Sequence, residues 1–456
     1  MSDLPDGWVL ATLDELLAAQ KDGRTIHQGW SPQCEKIPAG DFEWGALKTT
    51  AVQPGHFLPE HNKRLPADKE PKPGLEVQAG DLLLTCAGPR SRCGVACLVT
   101  TTRPKLMISG KMYRFRFDSR HLEPQYIEYY LLSGEAWSAI DEMKTGVSDS
   151  GLNLTQGRIR TLPVPVPPLP EQRRIVAAIE EHFSRLDAAE ADLQTALGRT
   201  TRLMQATLMS RIPCADVPDG WAVTTVDEAG RTDLGRQRAP KYHSGESMRP
   251  YLRVANVFED RLDLSDVMQM DFDDGAWSRF RLEEGDVLIN EGQSPHLVGR
   301  PAMYRGDPND IAFTNSLIRF RAHDDVDPEW ALLVFRRHLH ARRFMQEASI
   351  TTNIAHLALK RFRTVEFPKP PLQEQRELVQ RIRRELEAID RQKASISFAL
   401  ERSKGLRRSI LAAAFSGQLV PQDPTDEPAS ALLERVAERS ATAKPTRPKK
   451  DATPDG

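Results

Sequence analysis

Three short segments hold residues whose types could do chemistry, and each departs from the pattern that the chemistry needs. Gly110 and Lys111 lack both the upstream glycine and the following Ser or Thr of a phosphate-binding loop. The Val-Pro-Pro-Leu run at 166–169 lacks the amide or acid and the aromatic ring of an amino-methyltransferase motif. The Glu-Pro-Lys run at 70–72 has the acid–lysine spacing of a nuclease motif, but its central proline is unsuited to a catalytic strand. The sequence therefore predicts no catalytic residue.

The sequence predicts no metal site either. His182, His338 and His340 have no partner ligand at the i+4 position. The five cysteines are scattered and odd in number, which favours a reducing cytosol over a disulfide framework. Cys93 and Cys97 stand in a strand-like Val/Leu-rich run, where we interpret them as buried thiols.

Positive charge is the chemistry that the chain does offer. Residues 336–343 form a basic block without an acid, and residues 236–253 and 103–120 each carry several Lys and Arg residues around a single acid. Most charge runs are simply solvated faces. These blocks, however, occur in both halves of the chain and flank polar, glycine-containing loops at 87–92 and 291–296. Contacts to nucleic-acid phosphates and base edges would need this combination.

The elements that must position these residues are built twice. Four short motifs recur in the same order about 200 residues apart. They are Pro-Asp-Gly-Trp (5–8 and 218–221), a Gly-Asp turn into an apolar strand (80–84 and 285–289), Arg-Phe-Arg (114–116 and 319–321) and Pro-Pro-Leu-x-Glu-Gln-Arg (167–173 and 370–376). Each copy predicts a mixed α and β domain that ends in a long helix. Such a chain is typical of a spacing device rather than of a single-pocket enzyme.

A helical pattern follows each proline-rich motif, with apolar residues in alternating steps of three and four. This is the 3.5-residue spacing of a coiled-coil seam. The seam residues are Ile179, Phe183, Leu186, Leu193, Leu197, Met204 and Leu208 in the first helix and Ile382, Leu386, Ile389, Ile396, Leu400 and Leu411 in the second. Glu190 and Lys393 interrupt the two stripes at the matching place. They either fix the register of the pair or lie at its edge and reach solvent.

The bulk composition is that of a water-soluble chain of several domains. It has 456 residues, of which 39% are hydrophobic and 28% charged, and its formal net charge of −2 excludes a protein that is basic all over. No apolar run approaches the roughly 18 residues of a membrane span. The first ten residues lack the basic and apolar regions of an export signal, so we expect the cytoplasm as the compartment. The Lys- and Pro-rich tail at 444–450 is expected to be disordered.

These motifs resemble a known family. The paired Pro-Pro-Leu-x-Glu-Gln-Arg motifs, the two Gly-Asp strands, Ala-Ala-Phe-Ser-Gly-Gln-Leu-Val-Pro at 413–421 and Glu-Pro-Ala-Ser-Ala-Leu-Leu at 427–433 are similar to the specificity subunit of type I restriction–modification systems. The resemblance covers nearly the whole chain. It implies an α+β fold in which two target-recognition domains are separated by two long helices, paired as an antiparallel coiled coil with pseudo-twofold internal symmetry.

The resemblance also implies domain boundaries and partners. The expected domains are 1–165 and 213–370 for target recognition, 166–212 and 371–422 for the helical spacers, and 423–456 for a short helix and disordered tail. The expected partners are double-stranded DNA, two methyltransferase subunits that use S-adenosylmethionine on adenine N6, and restriction subunits that use ATP and Mg²⁺. No cofactor, metal or membrane contact is expected for this chain itself.

No base-reading residue can be transferred from the family, because its target-reading portions vary greatly. Candidates therefore rest on loop position and charge alone. The candidates for base-edge or nearby backbone contacts are Arg90, Arg92, Gln293, His296 and Arg300, and those for phosphates are Arg236, Arg238, Lys241, Arg342 and Arg343.

The length of the first helix suggests a mechanism. A helix over residues 171–212 would be roughly 60 Å long at about 1.5 Å per residue, whereas duplex DNA advances about 34–36 Å per turn. The helices could therefore hold two readers over separate major-groove faces and set the unread gap between half-sites. Two alternatives remain at this point. One is a protein–protein scaffold with two binding heads, and the other is an enzyme whose motif is not visible.

Overall fold

The computed structural model describes residues 4–20, 22–351 and 354–442 of the chain, with side chains as far as residue 436. The chain divides into two compact units, each of which combines small, mostly antiparallel sheets with helices. Unit 1 comprises Met1–Ala191 and Leu400–Gly456, and unit 2 comprises Asp192–Ala399. The expected α+β class is confirmed. Within the described ranges no helix is long and apolar enough to cross a membrane.

Two small sheets organise unit 1. Its strands are β1 (Val9–Thr12), β2 (Ile26–Gln28), β3 (Gly45–Leu47), β4 (Val52–Gln53), β5 (His56–Phe57), β6 (Asn62–Arg64), β7 (Leu82–Thr85), β8 (Ala87–Gly88), β9 (Ala96–Leu98), β10 (Leu106–Met107), β11 (Met112–Phe115), β12 (Leu152–Asn153) and β13 (Pro163–Val166). Its helices are α1 (Leu13–Leu16), α2 (Pro124–Leu132), α3 (Gly134–Met143), α4 (Gln156–Arg160) and the first part of α5 (Leu169–Arg211), with 3₁₀ turns at Thr49–Ala51 and Pro73–Leu75. The sheet orders are β2-β11-β7-β9 and β10-β3-β6, and β1 pairs with β13.

Unit 2 repeats this topology. Its strands are β14 (Ala222–Thr225), β15 (Gly230–Leu234), β16 (Met248–Leu252), β17 (Val257–Phe258), β18 (Arg261–Leu262), β19 (Met268–Asp271), β20 (Val287–Asn290), β21 (Gly292–Gln293), β22 (Pro301–Met303), β23 (Ala312–Phe313), β24 (Leu317–Ala322), β25 (Ser349–Thr351), β26 (Ile354–His356) and β27 (Glu366–Lys369). Its helices are α6 (Val226–Ala229), α7 (Asp274–Phe280), α8 (Pro328–His340), α9 (Arg343–Glu347), α10 (Leu359–Arg363) and most of α11 (Leu372–Phe415), with 3₁₀ turns at Pro240–Tyr242 and Val254–Asn256. The sheet orders are β15-β24-β20-β22 and β19-β16-β23, and β14 pairs with β27.

The main core of each unit joins its sheet to the ends of the long helices. In unit 1, Ile175 and Ile179 of α5 share a core with Leu411 and Phe415 of α11. In unit 2, the last part of α5 (Leu208, Ile212) packs in a core with the first part of α11 (Ile382, Leu386). Opposite ends of α5 and α11 therefore meet in each unit, which makes the pair antiparallel as expected.

The two polar interruptions of the seam have different environments. In unit 1 the Glu190 carboxylate accepts hydrogen bonds from Ser403 Oγ at 2.5 Å and Arg407 Nε at 3.3 Å, so this residue has partners on the facing helix. In unit 2 Lys393 is exposed. Of the two interpretations, the register-fixing contact applies to Glu190 and the solvated edge applies to Lys393.

Helix α11 ends at Phe415, earlier than the expected boundary near 422. Gly417 adopts a left-handed φ of +72°, and the Gln418 N–H donates to Ala413 O at 2.8 Å. This is the Schellman arrangement, which stops a helix at its last carbonyls. Helix α12 (Ala429–Thr442) follows in unit 1, and the tail expected to be disordered, 444–450, lies outside the described residues.

The repeated Gly-Asp and Arg-Phe-Arg motifs contact each other within each unit. Asp81 is 1% exposed and accepts from Arg116 Nε at 2.5 Å. Asp286 is likewise 1% exposed and accepts from Arg321 Nε at 2.7 Å. Each carboxylate also accepts a backbone N–H three residues earlier in the chain, at 2.8 Å. These two motifs therefore clamp neighbouring strands, β7 to β11 and β20 to β24.

The glutamine of each Pro-Pro-Leu-x-Glu-Gln-Arg motif is also structural. Gln172 and Gln375 are fully buried at the starts of α5 and α11. Gln172 Oε1 accepts from Glu123 N at 2.9 Å, and Gln375 Oε1 accepts from Asp327 N at 2.8 Å. Their Nε2 groups donate to proline carbonyls that precede the long helices, at 2.9 and 2.8 Å. Each glutamine therefore ties the start of a long helix to the N-cap of α2 or α8.

Candidate nucleic-acid interface

Much of the positive charge seen in the sequence is used inside the fold. In unit 2, Arg336 is 5% exposed and pairs with Glu259 at 2.9 Å and Asp260 at 3.0 Å. Burial opposes ionisation of Glu259, but hydrogen bonding to His340 and the charge of Arg336 outweigh it and lower the pKa of Glu259 to about 2. In unit 1, Arg114 is 3% exposed and donates to Gln20 and to backbone carbonyls. These arginines stabilise the scaffold.

The two candidates of unit 1, Arg90 and Arg92, follow β8 and are both held by the protein. Arg90 Nη1 lies 2.6 Å from Asp141 Oδ2, and its Nη2 lies 3.1 Å from Asp149 Oδ1. Arg92 Nη2 donates to the carbonyls of Thr49 and Val52, both at 2.6 Å. The Arg90 side chain remains 48% exposed. The geometry of Arg92 favours a role in shaping the segment that it holds.

Three candidates of unit 2 lie on one loop and the strand before it. Gln293 is half-buried in β21, and His296 is exposed on the following loop. Arg300 lies 4.7 Å from the centroid of the Phe258 ring, and burial lowers the pKa of its guanidinium. The structure therefore places His296 nearest to solvent in this group, with Arg300 anchored behind it.

The other candidates of unit 2 divide into a cluster and a separate pair. Arg236, Arg238 and Lys241 lie over aromatic rings: Arg236 and Lys241 over Tyr242 at 4.0 and 4.8 Å, and Arg238 over Tyr251 at 5.9 Å. This cluster is a cation–aromatic surface, whereas the sequence indicated only its positive charge.

Arg342 and Arg343, the remaining pair, lie at the start of α9. Arg342 is exposed with a left-handed φ of +57° and makes no ion pair with any described residue. Arg343 pairs with Glu366 at 2.9 Å and Glu347 at 2.5 Å. Only Arg342 of this pair has a free guanidinium to offer to a phosphate.

A basic cleft of unit 1 was missed by sequence reasoning. Trp30, Lys48, Lys63 and Lys111 line it, together with threonine and serine side chains. None of the three lysines forms an ion pair within the described part of the chain, and Lys63 and Lys111 are exposed. Lys111 belongs to a basic run that the sequence did show. Trp30, Lys48 and Lys63 lie far apart along the chain and come together only through the β10-β3-β6 sheet, so no local sequence pattern could reveal them.

One group of side chains has the spacing of metal ligands. Cys214, His338 and Glu366 of unit 2 each offer a ligand atom, and these atoms lie within 4.8 Å of one another. Arg337 Nη1 approaches His338 Nδ1 to 3.4 Å, and Arg343 occupies the Glu366 carboxylate. Two guanidinium groups at the ligand atoms oppose the binding of a further cation, so the charges present favour a hydrogen-bonded core over a metal site.

Sequence comparison finds relatives of one kind. A family model described as "Type I restriction modification DNA specificity domain" matches residues 5–197. Over 195 residues, 42% of this chain, the sequence is 38% identical to the type I restriction enzyme EcoEI specificity subunit of Escherichia coli, and the match spans 32% of that relative. It is 22% identical to the EcoKI specificity subunit of Escherichia coli K12, over 96% of this chain and 97% of that one.

Solved structures show the same architecture. A chain from a structure described as "Structural basis underlying complex assembly and conformational transition of the type I R-M system" matches with a TM-score of 0.71 at 21% identity, over 92% of this chain and 100% of that one. The HsdS subunit from Thermoanaerobacter tengcongensis matches with a TM-score of 0.51 at 20% identity, over 91% and 98%. At these identities the likeness concerns the fold, and it confirms mixed domains combined with long helices.

Proposed function

This chain belongs to the family of type I restriction–modification specificity subunits, and from that premise we propose that it reads a bipartite DNA target, one half-site with each unit. One observation supports this most directly. The same scaffold is built twice. Both copies have the buried Asp–Arg contact and the buried glutamine that ties the long helix to the neighbouring N-cap, whereas the exposed cations and aromatic rings differ between the two copies. A common frame that carries different surfaces suits the reading of two different sequences.

The chemistry of modification and cleavage belongs, on this proposal, to partner subunits. Methyltransferase subunits, two per complex, would bring S-adenosylmethionine, and restriction subunits would bring ATP and Mg²⁺. This chain would work as a non-catalytic subunit in the cytoplasm. A protein–protein scaffold with two binding heads is the competing function. The lysines beside Trp30, which make no ion pair within the described residues, favour a polyanionic ligand over it.

Adenine-methylation mapping tests the proposal. The full-length chain is co-expressed with its methyltransferase subunits in a host free of adenine methylation, and the genome is read for N6-methyladenine. We expect a motif of two short specified halves with a constant unspecified gap. A single continuous motif, or duplex binding without sequence preference, would contradict the proposed function.

A further inference from the structure

The basic cleft of unit 1 occupies a position that recurs on the scaffold of unit 2. Trp30 N donates to Ile108 O at 3.1 Å, and Arg236 N donates to Phe313 O at 3.0 Å. Each follows a glycine, Gly29 or Gly235, where an added Cβ would lie within 2.5 Å of backbone atoms of the neighbouring segment. In both units the backbone at this glycine is therefore closely packed against the neighbouring segment, whereas the residue that follows is Trp30 in unit 1 and Arg236 in unit 2.

The position of Lys48, which lines the cleft of unit 1, also has a counterpart in unit 2. Lys48 precedes the 3₁₀ turn Thr49–Ala51, and Arg253 precedes the 3₁₀ turn Val254–Asn256. In unit 1 the lysine side chain makes no ion pair with a described residue, whereas Arg253 of unit 2 pairs with Asp266. The equivalent position thus carries a cation in both units, and the cation of unit 1 has no ion-pair partner among the described residues.

The chemistry of the unit 1 cleft fits a nucleotide chain. Lys48, Lys63 and Lys111 bring three ammonium groups without a carboxylate partner among the described residues, and Lys72 Nζ lies 4.5 Å from the Trp30 ring centroid. The Ser109 hydroxyl, 9% exposed, has no hydrogen-bond partner in the described structure. Ammonium groups, an apolar ring edge and a spare hydroxyl together match phosphates, an apolar base edge such as the thymine methyl, and a polar base or sugar atom.

The equivalent position of unit 2 carries a matching but different set. Arg236 is 7% exposed, lies 4.0 Å from the Tyr242 ring centroid and 4.9 Å from that of Phe272, and has a buried Nη1 without a hydrogen-bond partner among the described residues. Its nearest carboxylate is Asp273, at 3.7 Å. A guanidinium held by rings and left with a spare donor is suited to an acceptor that the described protein does not supply.

We infer that this recurrent position is where each unit contacts its half-site, with Lys48, Lys63 and Lys111 of the unit 1 cleft on phosphates and Trp30 as the residue that sets specificity. The inference rests on the proposed function and assigns its contacts. It also transfers the reading role in unit 1 from Arg92, which is occupied by backbone carbonyls, to Trp30.

The test compares variants of the full chain assembled with its methyltransferase subunits. Binding to a labelled duplex that carries the mapped target is measured by fluorescence anisotropy over a series of salt concentrations. Lys63→Ala and Lys111→Ala should each lower the slope of log affinity against log salt by about 0.9 and weaken all sequences alike. Lys69→Ala is the matched control, because Lys69 lies in the same unit but is paired with Asp68 and does not line the cleft.

Trp30 is tested by base discrimination. Trp30→Ala should lose about tenfold in discrimination at one base position of one half-site and leave the other half-site unchanged, and Trp30→Phe should retain most of it. If the lysine variants keep the slope of the native chain, or if Trp30→Ala weakens every sequence alike, the inference is wrong while the proposed function stands. Should the native assembly itself show no bipartite preference, the proposed function fails.

Discussion

Asp286 holds the central sheet of unit 2 through buried charge. Arg321 contacts it with Nε at 2.7 Å and Nη2 at 2.8 Å, and Arg319 Nη1 lies 4.0 Å away. Asp286→Ala would remove a buried carboxylate and leave the Glu283 N–H without its acceptor, while Arg321 keeps its contact with Glu283. The loss should therefore lie at the lower end of the roughly 3–5 kcal/mol that breaking a buried ion pair typically costs. We expect Asp286→Ala to lower the free energy of unfolding by about 3 kcal/mol, measured by urea denaturation.

Glu283→Ala is the control for Asp286. Glu283 contacts the same Arg321 at 2.7 Å, but its side chain is 66% exposed. An exposed pair contributes at most about 1 kcal/mol, so this variant should unfold almost as the native chain does. Equal losses from the two substitutions would show that burial is not the cause.

His338 makes the stability of unit 2 depend on pH. Burial lowers the pKa of its imidazole to about 4, despite the opposing charge of Glu366, and Cys214, Arg337 and Arg343 are the other groups that face it. Because the folded pKa lies below the unfolded value of about 6.5, the neutral ring favours the folded state. Its contribution is complete above about pH 6.5 and is lost as the pH falls toward 4.

His338→Gln tests this dependence, since glutamine can still donate to Glu366 O but does not titrate. We expect the melting temperature of the native chain to fall more steeply than that of the variant between about pH 6.5 and 4. His296→Gln serves as the control, because His296 is exposed, and its profile should follow that of the native chain. If the melting temperatures of the native chain and of His338→Gln fall in parallel with pH, His338 is not the cause of the loss of stability in acid.

Single residues explain why the site was harder to predict than the fold. The sequence named Arg92 and Arg343 as candidates for DNA contacts from their charge and position, and their acceptors in the fold, the carbonyls near Thr49 and the Glu366 carboxylate, lie elsewhere along the chain. Charge is visible in a sequence, whereas the partner that neutralises it depends on tertiary contacts. Trp30 was not among the candidates for the opposite reason, because two of the lysines that line its cleft, Lys48 and Lys63, are isolated in sequence.

At the level of elements, the joint between α8 and α11 depends on one amide. Gln375 is fully buried, accepts from Asp327 N and donates to Asp325 O and Pro370 O. Gln375→Ala would leave these backbone groups without a partner. At about 1–3 kcal/mol for each buried unsatisfied group, we expect a loss of at least about 2 kcal/mol in the free energy of unfolding, measured by urea denaturation.

Gln373→Ala is the matched control for this joint, because Gln373 is exposed on the same helical turn and bonds only to Glu377, at 3.0 Å, among the described side chains. It should change the stability by less than about 0.5 kcal/mol. A Gln375→Ala variant as stable as this control would show that water replaces the buried amide without cost.

Elements were predictable wherever their residues carry local rules. The prolines before α5 and α11 and the 3.5-residue stripe act within a few residues, so the long helices could be inferred. The stop at Gly417 was not inferred, and the end of α11 was placed too late. The stripe did not predict how far each of its side chains is buried. Ile179 and Ile382 are fully buried, whereas Leu186 and Ile396 are only half-buried, because two helices alone leave both sides of a seam open to water.

For the whole molecule, the two helices should determine the gap between half-sites. Deleting one heptad from each, residues 191–197 and 396–402, keeps the seam in phase, since seven residues preserve a 3.5-residue repeat. It shortens each helix by about 10 Å, and at about 3.4 Å per base pair the gap read by methylation mapping should change by about three base pairs. The control replaces exposed residues of the same heptads with alanine at constant length, and its gap should stay that of the native chain. An unchanged gap in the deletion variant would show that the helices do not act as a ruler.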